Sequence, residues 1–248
     1  SSFSISSPLS TPLFILYLVL LPSPLILYGP LLSLFLHLLL TTPSSFLLPP
    51  GTQSANGSSF HLEMSQEGFS AVLTSRGPIL GAVGAYDWSG GISMYLDGRQ
   101  NGTWINATKD RTDMKDSYMG YAVQQVQWDT LAIGAPRYQH LGSVFIYKNN
   151  PTTSEWSQVA AFTADKIGSY FGSVLSILAL NSTHSLLVVG SPTYFSPQAP
   201  GGRVYLCPVT EVRNAWHPRG ASVTMTCPET LQGDPSQSVG HFGSAISV

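Results

Sequence analysis

Charge is what this 248-residue sequence has least of. Only 10% of its residues are Asp, Glu, Lys or Arg, the net charge is −2, and none of the four types occurs before Glu63. That balance gives no footing to a nucleic-acid or acidic partner. Signatures of catalysis are missing as well. The sequence has no Gly-x-Ser-x-Gly elbow and no H-E-x-x-H motif. His61, His140, His184, His217 and His241 lie far apart, none beside a carboxylate or nucleophile at a recognisable spacing. They read as loop or strand-end residues, and the chain reads as no enzyme. A long apolar run is also lacking. Leu13–Leu21 and Leu25–Leu40 are Leu-rich, but Pro22, Pro24, Gly29 and Pro30 interrupt them. A spanning helix needs about 20 uninterrupted apolar residues, and a secretory signal needs a basic start. Residues 1–50 are therefore an uncharged Leu/Pro/Ser-rich leader, read either as sequence foreign to any natural domain (a mis-predicted exon) or as an atypical signal or anchor.

What is present is repetition. Tyr118-Met119-Gly120-Tyr121 leads to Leu131-Ala132-Ile133-Gly134-Ala135-Pro136 and then Gly142-Ser143-Val144-Phe145. Tyr170-Phe171-Gly172-Ser173 leads to Leu187-Val188-Val189-Gly190-Ser191-Pro192 and then Gly201-Gly202-Arg203-Val204. A more worn copy runs from Gly68-Phe69-Ser70-Ala71 through Gly81-Ala82-Val83-Gly84-Ala85 to Gly90-Gly91-Ile92-Ser93. Gly68, Gly120 and Gly172 are spaced 52 residues apart, and Gly84, Gly134 and Gly190 give intervals of 50 and 56. A period of this size marks stacked units that cannot bury a core alone. The second unit spells four strands, about 117–126, 130–135, 142–148 and 156–163, separated by turn residues. The fold class expected is all-β: a partial propeller of about three four-stranded blades plus the start of another. Its units are about 66–116, 117–169, 170–237 and 238–248, within residues 51–248.

Other features point to compartment. Sequons stand at Asn56, Asn101, Asn106 and Asn181, all in expected loops, and favour a glycosylated extracellular chain. Cys207 and Cys227 are either buried free thiols in a reducing compartment or, in an oxidising one, a disulfide contributing about 3 kcal/mol. The spacing of Asp110, Asp113 and Asp116 beside Lys109, Arg111 and Lys115 reads as a solvated loop between blades.

The Phe-Gly and Gly-Ala-Pro pair, followed by Gly-Gly-x-Val-x-Tyr, resembles the FG-GAP repeat of integrin α subunits. Glu63–Ala71, Tyr86–Gly91 and Gly134–His140 are similar to the leukocyte, I-domain-bearing group, alpha-M, alpha-X and alpha-D. The resemblance covers residues 51–248 and implies part of the propeller head of a single-pass cell-surface receptor. It implies a heterodimer with a β subunit of the β2 class, extracellular protein ligands for the parent receptor, and a Cys207–Cys227 disulfide. It also implies that aromatic side chains near the Phe-Gly positions, Phe69, Tyr118, Tyr121, Tyr170, Phe171 and Phe242, meet the β subunit by cupping a basic residue. The family's calcium loop, D-x-D-x-D-G-x-x-D, is not legible. Ala179–Ser185 holds no carboxylate, the second unit offers only Asp129, and the first offers Ser75–Pro78. The family's D-x-S-x-S motif is absent, so no metal or cofactor is expected on this stretch; Ca²⁺ or Mg²⁺ belongs to other parts of the parent receptor. The alternatives are a secreted propeller attached to a hydrolase, such as a glycolipid-anchor phospholipase D, or a free-standing extracellular interaction module.

Overall fold

The computed structural model describes residues 62, 64–98, 102–109, 111–181, 184–197, 201–213, 221–237 and 239–247. The leader 1–50 and the sequons at Asn56 and Asn101 lie outside them. Within the described residues β-strands form three antiparallel sheets. The first contains β1 (Glu67–Thr74), β2 (Gly77–Ala82), β3 (Gly91–Met94) and β4 (Thr103–Asn106) in that order. The second contains β5 (Ala122–Gln127), β6 (Thr130–Ala135), β7 (Ser143–Asn149) and β8 (Trp156–Thr163). In the third, β9 (Val174–Ala179), β10 (His184–Ser191) and β11 (Arg203–Arg213) are followed by an outer strand in two pieces. These are β12 (Ala221–Met225) and β13 (Glu229–Gln232), which pair with opposite halves of β11. The break between them holds Cys227, and a disulfide joins it to Cys207 on β11.

The central strands look featureless in sequence because both of their faces are covered. All six residues of β6 are buried. Leu131, Ile133 and Ala135 pack with Ile79, Ile92 and Met94 of the first sheet. Their neighbour Ala132 packs with Leu187, Val189 and Tyr205 of the third. The two-residue alternation of a strand thus divides one sheet between two cores. β1 contacts β5 and β5 contacts β9, so these three are the innermost strands of successive blades. The molecule is a partial β-propeller.

Glycines set how closely the blades approach. A methyl group built on Gly81, Gly134 or Gly190 would lie 1.9, 1.9 or 2.2 Å from the carbonyl oxygen of Gly120, Gly172 or Gly243, each at the entry to the next unit of the repeat. The second repeat anchor is therefore Gly81, not Gly84, and the intervals become 53 and 56. Gly84 fills a different role, against the carbonyl of Met64. The inner strand expected from residue 117 also starts later, at Ala122, because the five residues before it turn instead of extending.

Candidate functional site: an aromatic rim

One backbone turn opens each unit. Gln66, Tyr118, Tyr170 and His241 hold φ of 52, 57, 57 and 48°, and two residues later Gly68, Gly120, Gly172 and Gly243 hold 92, 93, 89 and 88°. Such left-handed positions cost a non-glycine residue unless the surroundings enforce them. Here the enforcing contacts are visible. Tyr118 N–H donates to the carbonyl of Trp88 (3.1 Å), Met119 N–H to that of Ser89 (3.1 Å), and Gly120 N–H to that of Gly134 (3.0 Å).

These turns gather rings at one end of the sheets. Phe69 and Tyr121 have centroids 4.8 Å apart, and Tyr121 meets Tyr170 edge-on at 5.5 Å. Trp88 lies 5.4 Å from Tyr118, and the Arg137 guanidinium sits 4.7 Å from the centre of the Tyr118 ring. Arg137 Nη1 also donates to the Tyr118 hydroxyl at 2.9 Å. Burial raises the Tyr170 pKa, with smaller influences from Tyr121, Arg137 and Tyr118 that place it within the same group. Phe69 is 48% exposed, and the three tyrosines are half-buried. The arrangement offers ring faces and edges for a cation or an apolar side chain.

Four of the six candidate rim residues come together: Phe69, Tyr118, Tyr121 and Tyr170. Phe171 and Phe242 belong to another series. Met119, Phe171 and Phe242 recur at the point where Gly90, Gly142 and Gly202 press against the next unit's backbone. Met119 and Phe171 are wholly buried there, and Phe171 packs against Phe162 and Tyr205. The Phe of the Phe-Gly pair is a wedge between blades, so the expectation that it faces a partner is corrected for Phe171. Phe242, 38% exposed, occupies the same wedge position one unit on. Trp88 and Arg137 were not singled out from sequence. Their signal was slight: an arginine directly after Gly-Ala-Pro, and a tryptophan in the turn Ala85–Trp88, where Tyr86, Asp87 and Trp88 hold φ of 54, 56 and 64°.

The aspartate loop is not simply solvated. Arg111 Nε and Nη2 grip the Asp113 carboxylate at 2.9 and 2.6 Å, and the Tyr138 hydroxyl donates to that carboxylate as well. The same guanidinium lies over the Tyr138 and Phe145 rings, 5.2 and 4.9 Å from their centres. Its hydrogen bonds hold the Asp113 pKa down at about 2. A depressed carboxylate stabilises the fold above the unfolded value near ~4 and loses that contribution as pH falls towards about 2. Solvent screening of this part-exposed pair limits it to about 1 kcal/mol. Asp113→Asn is accordingly expected to flatten part of the acid limb when urea unfolding is followed from about pH 5 to about pH 2.5; an unchanged slope would show the clasp to be inert.

The hairpin turns at Asp129 and Asn181 offer at most one carboxylate each, fewer than a calcium ion needs. Asp129 is held by Lys148 Nζ at 3.1 Å and accepts from Thr130 Oγ1 at 2.9 Å. Asn181 Oδ1 accepts the His184 backbone N–H at 2.8 Å, closing the turn on itself without a carboxylate. Asn181 is exposed in this turn, whereas Asn106 ends strand β4 and is not in a loop as expected.

Against curated proteins the chain aligns with integrin α subunits. It is 39% identical to human "Integrin alpha-X" and to mouse "Integrin alpha-M", and 40% identical to human "Integrin alpha-D", over 203 residues in each case. Those residues are 80% of this chain, which spans 16% of the length of each relative. No protein-family model matches.

Proposed function

The chain belongs to the integrin α-subunit family, in its leukocyte branch, and we propose that it forms part of the head through which such a subunit pairs with a β subunit in a cell-surface adhesion receptor. The partner proposed is of the β2 class. The role is recognition and assembly, not catalysis. The observation that carries this reading is the ring group of Phe69, Tyr121, Tyr170 and Tyr118, held at one end of the blades by the repeated left-handed turn. Half-buried π faces suit a basic side chain offered by a partner, each well-placed ring adding about 0.5–2 kcal/mol. The Cys207–Cys227 disulfide and the exposed sequon asparagine Asn181 support an extracellular setting.

The test is capture of a soluble β2-type head by the full chain, wild type against Tyr121→Ala and Phe69→Ala. Loss of one ring is expected to weaken capture about 2- to 30-fold, with little change in thermal stability. Undiminished capture by both variants would overturn the rim as the pairing surface.

A further inference from the structure

Two segments that connect successive sheets follow one plan, and only one of them has its aspartate clasped. In the first, Asp113 lies seven residues before Gly120 and is clasped by Arg111 and the Tyr138 hydroxyl, with Phe145 beneath the guanidinium. The second segment repeats the parts. Asp165 lies seven residues before Gly172, and Tyr194 follows Gly190 as Tyr138 follows Gly134. Tyr205 pairs with Val189 across β10 and β11 as Phe145 pairs with Ile133 across β6 and β7. The cation has changed origin: it is Arg203, on β11 itself. Its guanidinium carbon lies 3.8 Å from the centre of the Tyr194 ring and 5.9 Å from that of Tyr205.

This second set lacks its carboxylate. Arg203 Nε is buried without a hydrogen-bond partner; the Tyr205 hydroxyl, on a residue only 5% exposed, has the donor-only Arg203 guanidinium nearby but no acceptor for its own proton. Two neighbouring buried polar groups left unsatisfied are costly, and native structures rarely keep them so. Asp165 meanwhile is exposed; burial raises the Tyr205 pKa, the neighbouring Arg203 lowers it, and the Asp165 charge adds a smaller upward influence. The segment carrying it is pinned at both ends. Ala164 N–H donates to the Gly142 carbonyl (3.1 Å), Gly168 N–H to that of His140 (2.8 Å), and Thr193 Oγ1 to the Gly168 carbonyl (2.6 Å). Between these pins Ile167 is 77% exposed and has little packing to lose.

We propose that Asp165 is a latch, which closes on Arg203 Nε and the Tyr205 hydroxyl and ties the connecting segment to the third sheet as Asp113 ties its counterpart to the second. The structure holds the open position. Closure requires only the short stretch between the two pins to turn inward, and it supplies one acceptor group to both orphaned donors. The inference rests on the repeat and does not depend on pairing with a β subunit.

A double-mutant cycle on the full chain tests it, using Asp165→Asn, Arg203→Gln and the pair, with urea unfolding and hydrogen exchange of the amides between Ala164 and Gly168. Each single change is expected to lower the folding constant about five- to tenfold, and the double change no further than either alone. Asp165→Asn is also expected to speed exchange in that stretch. Additive effects, or Asp165→Asn with unchanged stability and exchange, would overturn the latch. If Arg203→Gln does not fold, coupling of Asp165→Asn to Tyr205→Phe decides the same question, because it removes only the orphaned hydroxyl.

Discussion

Lys148→Met is expected to destabilise the chain by about 3–5 kcal/mol. Lys148 on β7 places its ammonium 3.1 Å from Asp129 Oδ2 and 3.2 Å from Glu211 Oε1. The three side chains are only 17, 8 and 7% exposed. Asp129 caps the β5–β6 hairpin and Glu211 sits on β11, so one cation serves carboxylates from two sheets. Assembling such a set gains little, because desolvation offsets attraction; removing its centre costs much, because two buried carboxylates lose the charge they share. The same logic predicts partial recovery when Asp129→Asn and Glu211→Gln accompany Lys148→Met. Urea unfolding of the single and triple variants is the measurement. A single-variant cost below about 1 kcal/mol would place these groups in surface-like surroundings.

Phe171→Ala should cost a similar about 3–5 kcal/mol, and a fall in Tm of the order of 10 °C. The ring is wholly buried, meeting Tyr205 edge-on at 4.9 Å and Phe162 at 5.6 Å. Its removal opens a cavity between the second and third sheets, where Ala122, Val144 and Leu187 also pack. Rim variants such as Tyr121→Ala should leave Tm nearly unchanged. Differential scanning fluorimetry on the pair separates wedge from rim: equal losses of Tm would show that the two ring series are not distinct.

The blades were readable because their period repeats glycines that chemistry makes irreplaceable. A β-carbon at Gly134 would strike the Gly172 carbonyl, so the sequence must carry the mark. The worn first unit misled by three residues, since Gly81 and Gly84 both stand near the right spacing and only the register, Ser70 opposite Gly81, separates them. Strand faces were less legible. Leu187-Val188-Val189 shows no alternation because Leu187 and Val189 pack towards the second sheet while Val188 turns away. Among the aromatic residues, sequence showed where rings recur but not which way they point. Phe171 and Tyr170 are adjacent, yet the left-handed Tyr170 sends them to different surroundings. Arg137 and Arg203 were invisible as ring partners, since stacking joins residues that no local pattern links.

The repeated entry turn has one further consequence. At Tyr118 and Met119 the conformation is fixed by backbone bonds to Trp88 and Ser89 of the preceding unit, and the position at the left-handed corner is filled by Gln66, Tyr118, Tyr170 and His241 in turn. Amide, phenol and imidazole are all accepted on the same peptide frame. The corner therefore works as an interchangeable socket: mutation can change the side chain this end of the molecule presents, one position at a time, while the glycines behind it keep the scaffold unchanged.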